Sequence, residues 1–345
     1  MVNWQSKRKY LPDPTTSSIK QIQHYIKLIP PQMKIALDVM GGDYAPEATV
    51  KGAILAACTL SDKARIVLIG DKNKILEITS NEGVNHSVFE IIHTDEVIGM
   101  GENPAKAFSK KKNSSIVTGF GLMNSGKIDA FASTGNTGAM MIGAMFMIKS
   151  IPGIIRPAIS AQVPNVAGGS ATLLDVGLNP DCRPDVLYQY GILGSLYAKH
   201  VFHIENPKVC LLNLGFEEEK GNLITKAAYE LMRDNNEILF GGNIEGNEIF
   251  NEGRADVIVC DGFVGNVILK EAEAFYTLIR KRGIKDNFFE RFNFENYGGT
   301  LVLGINKPVI IGHGISNEKA IKNLLIHTSE VVEAKLMDKF KEAFQ

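Results

Sequence analysis

The sequence predicts an α/β fold: a doubly wound, mostly parallel sheet in a two-lobed α/β/α arrangement. Three observations carry that expectation. Short apolar runs alternate with longer amphipathic stretches along the chain after residue 32. The 33 glycines gather at the ends of those runs, where strand-to-helix turns need them. Four unusual loops, Asp38 to Asp43, Ser133 to Gly138, Asp261 to Asn266 and His313-Gly314, each follow an apolar run. Open α/β sheets bind ligands at the carboxyl ends of their strands, so these loops form the candidate site.

From Met33 strand and helix alternate. Lys34 to Leu37 is a strand running into Asp38-Val39-Met40-Gly41-Gly42-Asp43. Pro46 and Glu47 open a helix, because proline suits the first turn and a carboxylate its positive end. Arg65 to Ile69 is the next strand, followed by a helix to about Ser80 and a strand from Val88 to Ile92. Asn103-Pro104 opens a basic helix with Lys106, Lys110, Lys111 and Lys112, and Ser114-Ser115 caps another. Ile128 to Ala132 is a buried strand, Ser133 to Gly138 a loop, and Ala139 to Ile148 a helix rich in Met and Ala.

After Ser150 the rhythm changes. Ala158 to Val163 and Ala171 to Asp175, separated by Pro164 and Gly168-Gly169, predict a hairpin. Pro184 begins a helix to about Lys199, and Lys208 to Leu214 is a strand ending at Gly215 and the turn Glu217 to Gly221. A helix over 223–234 and strands over 237–240 and 255–260 follow. The helix after Asp261 carries the apolar residues Ile268, Ala272, Phe275 and Ile279 at helical spacing, in steps of four, three and four. Pro308 to Ile311 is the last strand. After the cap Asn317 a helix carries Ile321, Leu324, Leu325, Thr328 and Val331 on one face.

A chain of 345 residues accommodates a catalytic unit over 33–345 with two lobes, roughly 33–130 with 300–345, and 131–299. Hydrophobic content of 45%, charged content of 22% and a net charge of −1 describe a soluble globular protein and argue against nucleic acid as a partner. Cys58, Cys182, Cys210 and Cys260 form no CxxC pair and predict reduced thiols in a cytoplasmic protein. The longest apolar run, Ala139 to Ile148, is about half the roughly 20 residues of a membrane span. Residues 1–32 carry five cations against Asp13 and four prolines, which predicts a flexible extension. They have no apolar stretch of the secretory type.

The loop Ser133 to Gly138 has the make-up of an anion site. It joins a strand to a helix, whose first turn offers free N–H groups and a partial positive charge, and its glycines admit an anion to the backbone. Ser133, Thr134 and Thr137 add hydroxyls. An ordinary tight turn is the competing reading. No Lys follows the second glycine, and the spacing fails the dinucleotide fingerprint. Lys106, Arg156 and Lys220 are candidate cations, with plain surface solvation as the alternative for each. Asp38 and Asp261 end buried strands, where they hold either a ligand or loop amides. His313, between two glycines, is the best placed of the 7 histidines to donate a proton, against a turn histidine satisfied locally. No activated Ser or Cys stands in these loops, so attack by a bound oxyanion is favoured over a covalent intermediate.

Eight stretches carry a family resemblance: ALDVMGGDYAPE (36–47), ENPAKAFSKKKNSS (102–115), ASTGNTGA (132–139), RPAI (156–159), DVGLNPDCRP (175–184), LLNLGFEEEKGN (211–222), DGFVGN (261–266) and IIGHGISNEKAIKN (310–323). In this order they resemble the PlsX family of bacterial phosphate acyltransferases, from Met33 to about Val332. The resemblance implies that inorganic phosphate attacks the thioester of a long-chain acyl carrier protein. Acyl phosphate then goes to the next acyltransferase of phospholipid synthesis. It further implies a homodimer, a loose peripheral attachment to the membrane, and a fold like phosphotransacetylase and the isocitrate/isopropylmalate dehydrogenases. No cofactor and no metal are expected. The candidate catalytic residues are His313, Asn266 and Asp261. The candidate phosphate- and acyl-binding residues are Asp38, Gly41, Gly42, Lys106, Ser133, Thr134, Gly135, Asn136, Thr137, Gly138, Arg156 and Lys220.

The chain departs from the family pattern in places. Leu178 stands where a small Ala is usual, and the segment between Glu273 and Tyr297 is shorter. That segment carries Arg280, Lys281, Arg282, Lys285 and Arg291 with Phe288, Phe289 and Phe292, a basic–aromatic surface for a membrane, an acidic carrier protein or a second copy. Three other functions compete. A short-chain phosphotransacetylase using acyl-CoA shares the fold. A nicotinamide-dependent dehydrogenase would need an Asp metal cluster and a nucleotide loop, and a non-catalytic membrane tether would leave the loop at 133–138 without a purpose.

Overall fold

The structure, a computed structural model, describes residues 33–345; the expected extension over 1–32 lies outside the described residues. In chain order the first elements are β1 (Met33–Asp38), α1 (Glu47–Leu60), β2 (Ala64–Gly70), α2 (Lys72–Asn81), β3 (Glu90–His93), α3 (Pro104–Lys110), α4 (Ser115–Asn124), β4 (Ala130–Ser133) and α5 (Thr137–Gly143). Next come β5 (Ala158–Pro164), β6 (Ser170–Leu174), α6 (Pro184–His200), β7 (Lys208–Leu212), α7 (Leu223–Arg233), β8 (Leu239–Ile244), β9 (Val257–Val259) and α8 (Gly262–Lys281). The chain closes with β10 (Thr300–Leu303), β11 (Val309–Ile311), α9 (Glu318–Glu333) and α10 (Leu336–Phe344).

Two compact units result. Among the described residues, one holds 33–149 together with Phe294–Lys335; the other holds Ser150–Asn293 and Leu336–Gln345.

In the first unit the strands run β3-β2-β1-β4-β11-β10, parallel except for the pair β10–β11. Central strands of a parallel sheet are covered on both faces, which is why Ile35 to Asp38 and Ala130 to Ser133 are buried without a gap. On one face Ala36, Val67, Ile69, Phe131 and Val309 pack against Phe108, Ile116, Phe120 and Met140 from α3, α4 and α5. Phe120 meets Phe131 edge to face at 5.2 Å, and burying a ring of this size contributes about 2–3 kcal/mol. On the other face α9 lies against β1, β4 and α1. Helices thus cover both sides, as expected from the sequence.

The second unit has the order β5-β6-β9-β7-β8, parallel except for the hairpin β5–β6. The helix α6 covers β9, β7 and β6, and α10 packs against α6.

Four stretches have local features that the sequence reading did not give. Residues His86–Val88 form a 3-10 turn capped by Asn85, so β3 begins at Glu90. The helix after the central loop begins at Thr137 and widens into a π turn over Ala144–Ile148. Along α8, Ile268, Ala272 and Ile279 are half-buried, whereas Val264, Val267, Phe275 and Leu278 form an exposed stripe beside them. Phe288, Phe289 and Phe292, read from the sequence as part of a basic–aromatic surface, sit in and before a 3-10 turn (Phe289–Phe292). Their rings pack on one another and on Phe250.

Candidate active site

Strand register fixes where the loops of the first unit begin. Asp38 of β1 pairs with Ser133 of β4, and Ser133 pairs with Ile311 of β11. The loops after β1, β4 and β11 therefore leave one edge of the sheet side by side. The Asp38 carboxylate is fully buried there and accepts from Ser133 Oγ at 2.7 Å and from the Met40 N–H at 3.0 Å. Burial raises its pKa, while the hydrogen bonds from Ser115, Ser133 and the loop amides oppose that rise. Ser133 Oγ in turn accepts the Gly135 N–H at 2.9 Å.

The Gly41 and Gly135 backbones touch: a Cβ on Gly41 would stand 2.6 Å from the Gly135 Cα. Only glycine permits that approach. Thr134 Oγ1 donates to the Gly41 carbonyl at 2.9 Å, and the Gly312 N–H donates to the Ser133 carbonyl at 2.9 Å. All three loops are stitched together by the loop after β4.

Asn136 serves two elements at once. Its Oδ1 accepts the Ala139 N–H at 3.0 Å and caps α5; its Nδ2 faces the carbonyls of Gly99, Met100 and Glu102 at 3.0–3.2 Å. Within the loop Ser133, Thr134, Gly135 and Asn136 are buried, and Thr137 is exposed. The surface offered to an anion is thus the first turn of α5, with the Thr137 hydroxyl and backbone N–H groups that have no helical acceptor. Gly138 is small for another reason, since a Cβ there would overlap the Pro104 ring at the start of α3. Lys106, two residues further along α3, is exposed. His313 is exposed beside Gly312 and stacks on Phe294 with ring centroids 5.1 Å apart.

The other sequence-predicted residues lie in the second unit. Asp261 caps α8 by accepting the Val264 N–H at 2.8 Å, and exposed Asn266 follows one turn later against Gly177. Arg156 Nη1 donates to the Asp181 carbonyl at 2.9 Å. Lys220 lies in the turn after β7, where Asn213 Nδ2 donates to its carbonyl at 3.2 Å.

Sequence reasoning missed the organiser of this second cluster. Asp175, fully buried at the end of β6, accepts from the N–H groups of Ile159, Leu178 and Asn179 and from Asn179 Nδ2. The Gly262 N–H then donates to the Asn179 carbonyl at 2.7 Å, which ties the start of α8 to the same loop. An acidic residue ending a buried strand, as at Asp38, was the available signal.

The thiols are poor nucleophiles. Burial pushes those of Cys182 and Cys210 up to about 11, and raises those of Cys58 and Cys260 as well. Protonated thiols do not attack a thioester. Among the described residues no three His, Cys, Asp or Glu side chains gather as a metal site requires.

The family model for fatty acid synthesis protein matches residues 33–289. The chain is 40% identical over 329 residues to a phosphate acyltransferase from Dictyoglomus turgidum, spanning 90% of this chain and 97% of that protein. It is 43% identical over 331 residues to a phosphate acyltransferase from Acetivibrio thermocellus, spanning 90% and 96%. A solved phosphotransacetylase from Streptococcus pyogenes is similar with a TM-score of 0.61 and 18% identity, over 94% of this chain and 99% of that one. One from Staphylococcus aureus gives 0.59 and 17%, over 92% and 99%. At such identities the likeness is one of fold, and it agrees with the α/β architecture expected from the sequence.

Proposed function

The chain belongs to the fatty acid synthesis protein family, and from that premise we propose that it transfers a long-chain acyl group from acyl carrier protein to inorganic phosphate, releasing acyl phosphate for phospholipid synthesis. The observation that carries the chemistry is the stitched loop Ser133 to Gly138, which opens α5 with its amides held in place.

Phosphate seated there is oriented by the first turn of α5 and Thr137, with Lys106 adding positive charge. One phosphate oxygen attacks the thioester carbonyl carbon. The new C–O bond forms, the tetrahedral oxyanion collapses, and the C–S bond breaks. The electron pair leaves with the carrier's sulfur, which takes up a proton. His313 is the group we place to stabilise or protonate at this step. No enzyme nucleophile enters, in keeping with the protonated cysteines.

The same reading includes a homodimer and reversible contact with the cytoplasmic face of a membrane, beside the acyltransferase that consumes the product. What supports it is the exposed stripe of α8, which ends in the cations Arg280, Lys281 and Arg282. No helix among the described residues is long and apolar enough to cross a membrane.

The test is to incubate the purified chain with long-chain acyl carrier protein and phosphate and to trap the product with hydroxylamine. Hydroxamate that depends on phosphate supports the proposal. Turnover confined to short-chain acyl-CoA would favour the phosphotransacetylase alternative.

A further inference from the structure

We propose that Tyr44, Met100 and Ile315 form an apolar collar beside the phosphate loop, and that this collar receives the acyl chain next to the reacting carbon. It thereby sets the preference for long chains over short ones. The inference rests on phosphate binding at the Ser133 to Gly138 loop.

The product requires such a surface. Its acyl carbon is bonded to a phosphate oxygen, so the first methylenes of the chain must lie against whatever flanks the bound phosphate. Three large apolar side chains are exposed there: Tyr44 at 56%, Met100 at 44% and Ile315 at 47%. Single exposed hydrophobics are ordinary, but the three chain segments that carry these meet at one residue, Gly314.

Met100 Cε lies 2.7 Å from where a Cβ of Gly314 would stand. The Asp43 N–H, one residue before Tyr44, donates to the Gly314 carbonyl at 2.8 Å. Ile315 follows Gly314 directly. The collar is also joined to the phosphate loop. A Cβ on Gly42 would meet Thr134 Oγ1 at 2.9 Å and the Gly314 carbonyl at 3.1 Å. Asn136, the cap of α5, points its Nδ2 at the carbonyls of Gly99, Met100 and Glu102. The Gly99 N–H donates to Glu102 Oε1 at 2.7 Å, and Glu102 pairs with Lys111. Met100 is therefore presented on a loop that is already ordered, so little conformational entropy is lost when a chain lies on it.

The test compares Met100→Asp and Ile315→Asp with Met100→Leu and Ile315→Val, using long- and short-chain acyl carrier protein donors at saturating and limiting phosphate. Both sites of change are exposed, so folding is checked by unfolding curves and is expected to hold. The Asp variants should lower kcat/KM for the long-chain donor roughly tenfold more than for the short-chain donor, about 1.4 kcal/mol. The Leu and Val variants should keep the wild-type ratio. An unchanged ratio in the Asp variants overturns the collar, whatever happens to total activity. Wild-type turnover without phosphate dependence overturns the phosphate reading and the collar together. As a separate readout, a donor carrying a diazirine near its thioester should label peptides containing Tyr44, Met100 or Ile315. Labelling only on α8 would place the chain elsewhere and overturn the proposal.

Discussion

Ser133 donates its hydroxyl hydrogen to the buried carboxylate of Asp38 at 2.7 Å, across 95 residues of sequence. The Gly135 N–H donates to the same hydroxyl, so a buried carboxyl group, a hydroxyl and a loop amide form one chain. That chain holds the loop Ser133 to Gly138 in shape from behind.

The pH dependence of stability follows from Asp38. Burial raises its folded pKa above the ordinary 3.8, so the folded protein holds the proton more tightly than the unfolded chain does. Its contribution is then most favourable below the unfolded value and declines as pH rises to the folded one. Asp38→Asn removes the titration, and Asp175, also raised by burial, is common to both proteins. Denaturant unfolding of wild type and variant from about pH 4 upward should show their difference moving against the wild type across that window. A difference that moves in favour of the wild type as pH rises would contradict this account.

Two glycines of the loop should respond differently to substitution. A Cβ on Gly135 lies 3.1 Å from both Asp38 Oδ2 and Ser133 Oγ, so Gly135→Val should distort the loop and raise the phosphate KM, roughly tenfold or more. Gly138→Val pushes on Pro104 and should cost about 1–3 kcal/mol of stability. Phosphate saturation curves and unfolding curves separate the two. Normal phosphate dependence in a folded Gly135→Val protein would remove the loop from the site.

Direct attack by phosphate predicts that no cysteine is acylated. Single Cys→Ala changes at Cys58, Cys182, Cys210 and Cys260 should leave turnover within roughly tenfold, about 1.4 kcal/mol of barrier. Mass spectrometry of the quenched reaction should find no thioester adduct on the chain. A trapped adduct at any of the four would sink the mechanism.

Membrane contact is best tested on α8. Phe288 and Phe289 pack into a ring cluster with Phe292, so changing them disturbs the fold as well as the surface. Phe275 and Leu278 are 59% and 56% exposed. Each side chain, if buried in a lipid surface, would contribute about 1.5–3 kcal/mol. Phe275→Glu with Leu278→Glu should release the protein from anionic vesicles while acyltransfer in solution persists, and salt should weaken wild-type binding. Undiminished co-sedimentation of the double variant would move the contact to another surface.

Much of this protein is legible locally. Strand and helix alternate because the apolar period changes from segment to segment, and the caps Asn103, Ser114, Asp261 and Asn317 act on N–H groups only three residues away. The loop at Ser133 to Gly138 is visible for the same reason, its glycines and hydroxyls being consecutive. Other features depend on which strands lie side by side. The partnership of Asp38 with Ser133, the role of Asp175 beneath the start of α8, and the meeting of Tyr44, Met100 and Ile315 at Gly314 all bridge segments far apart in the chain. Local periodicity carries no information about strand order, and a hydrogen bond over 95 residues exists only once the sheet has brought its two ends together. The sequence by itself therefore determined the elements and the chemical character of the loops; the tertiary structure alone decided which of those residues lie exposed and which hold the loops from behind.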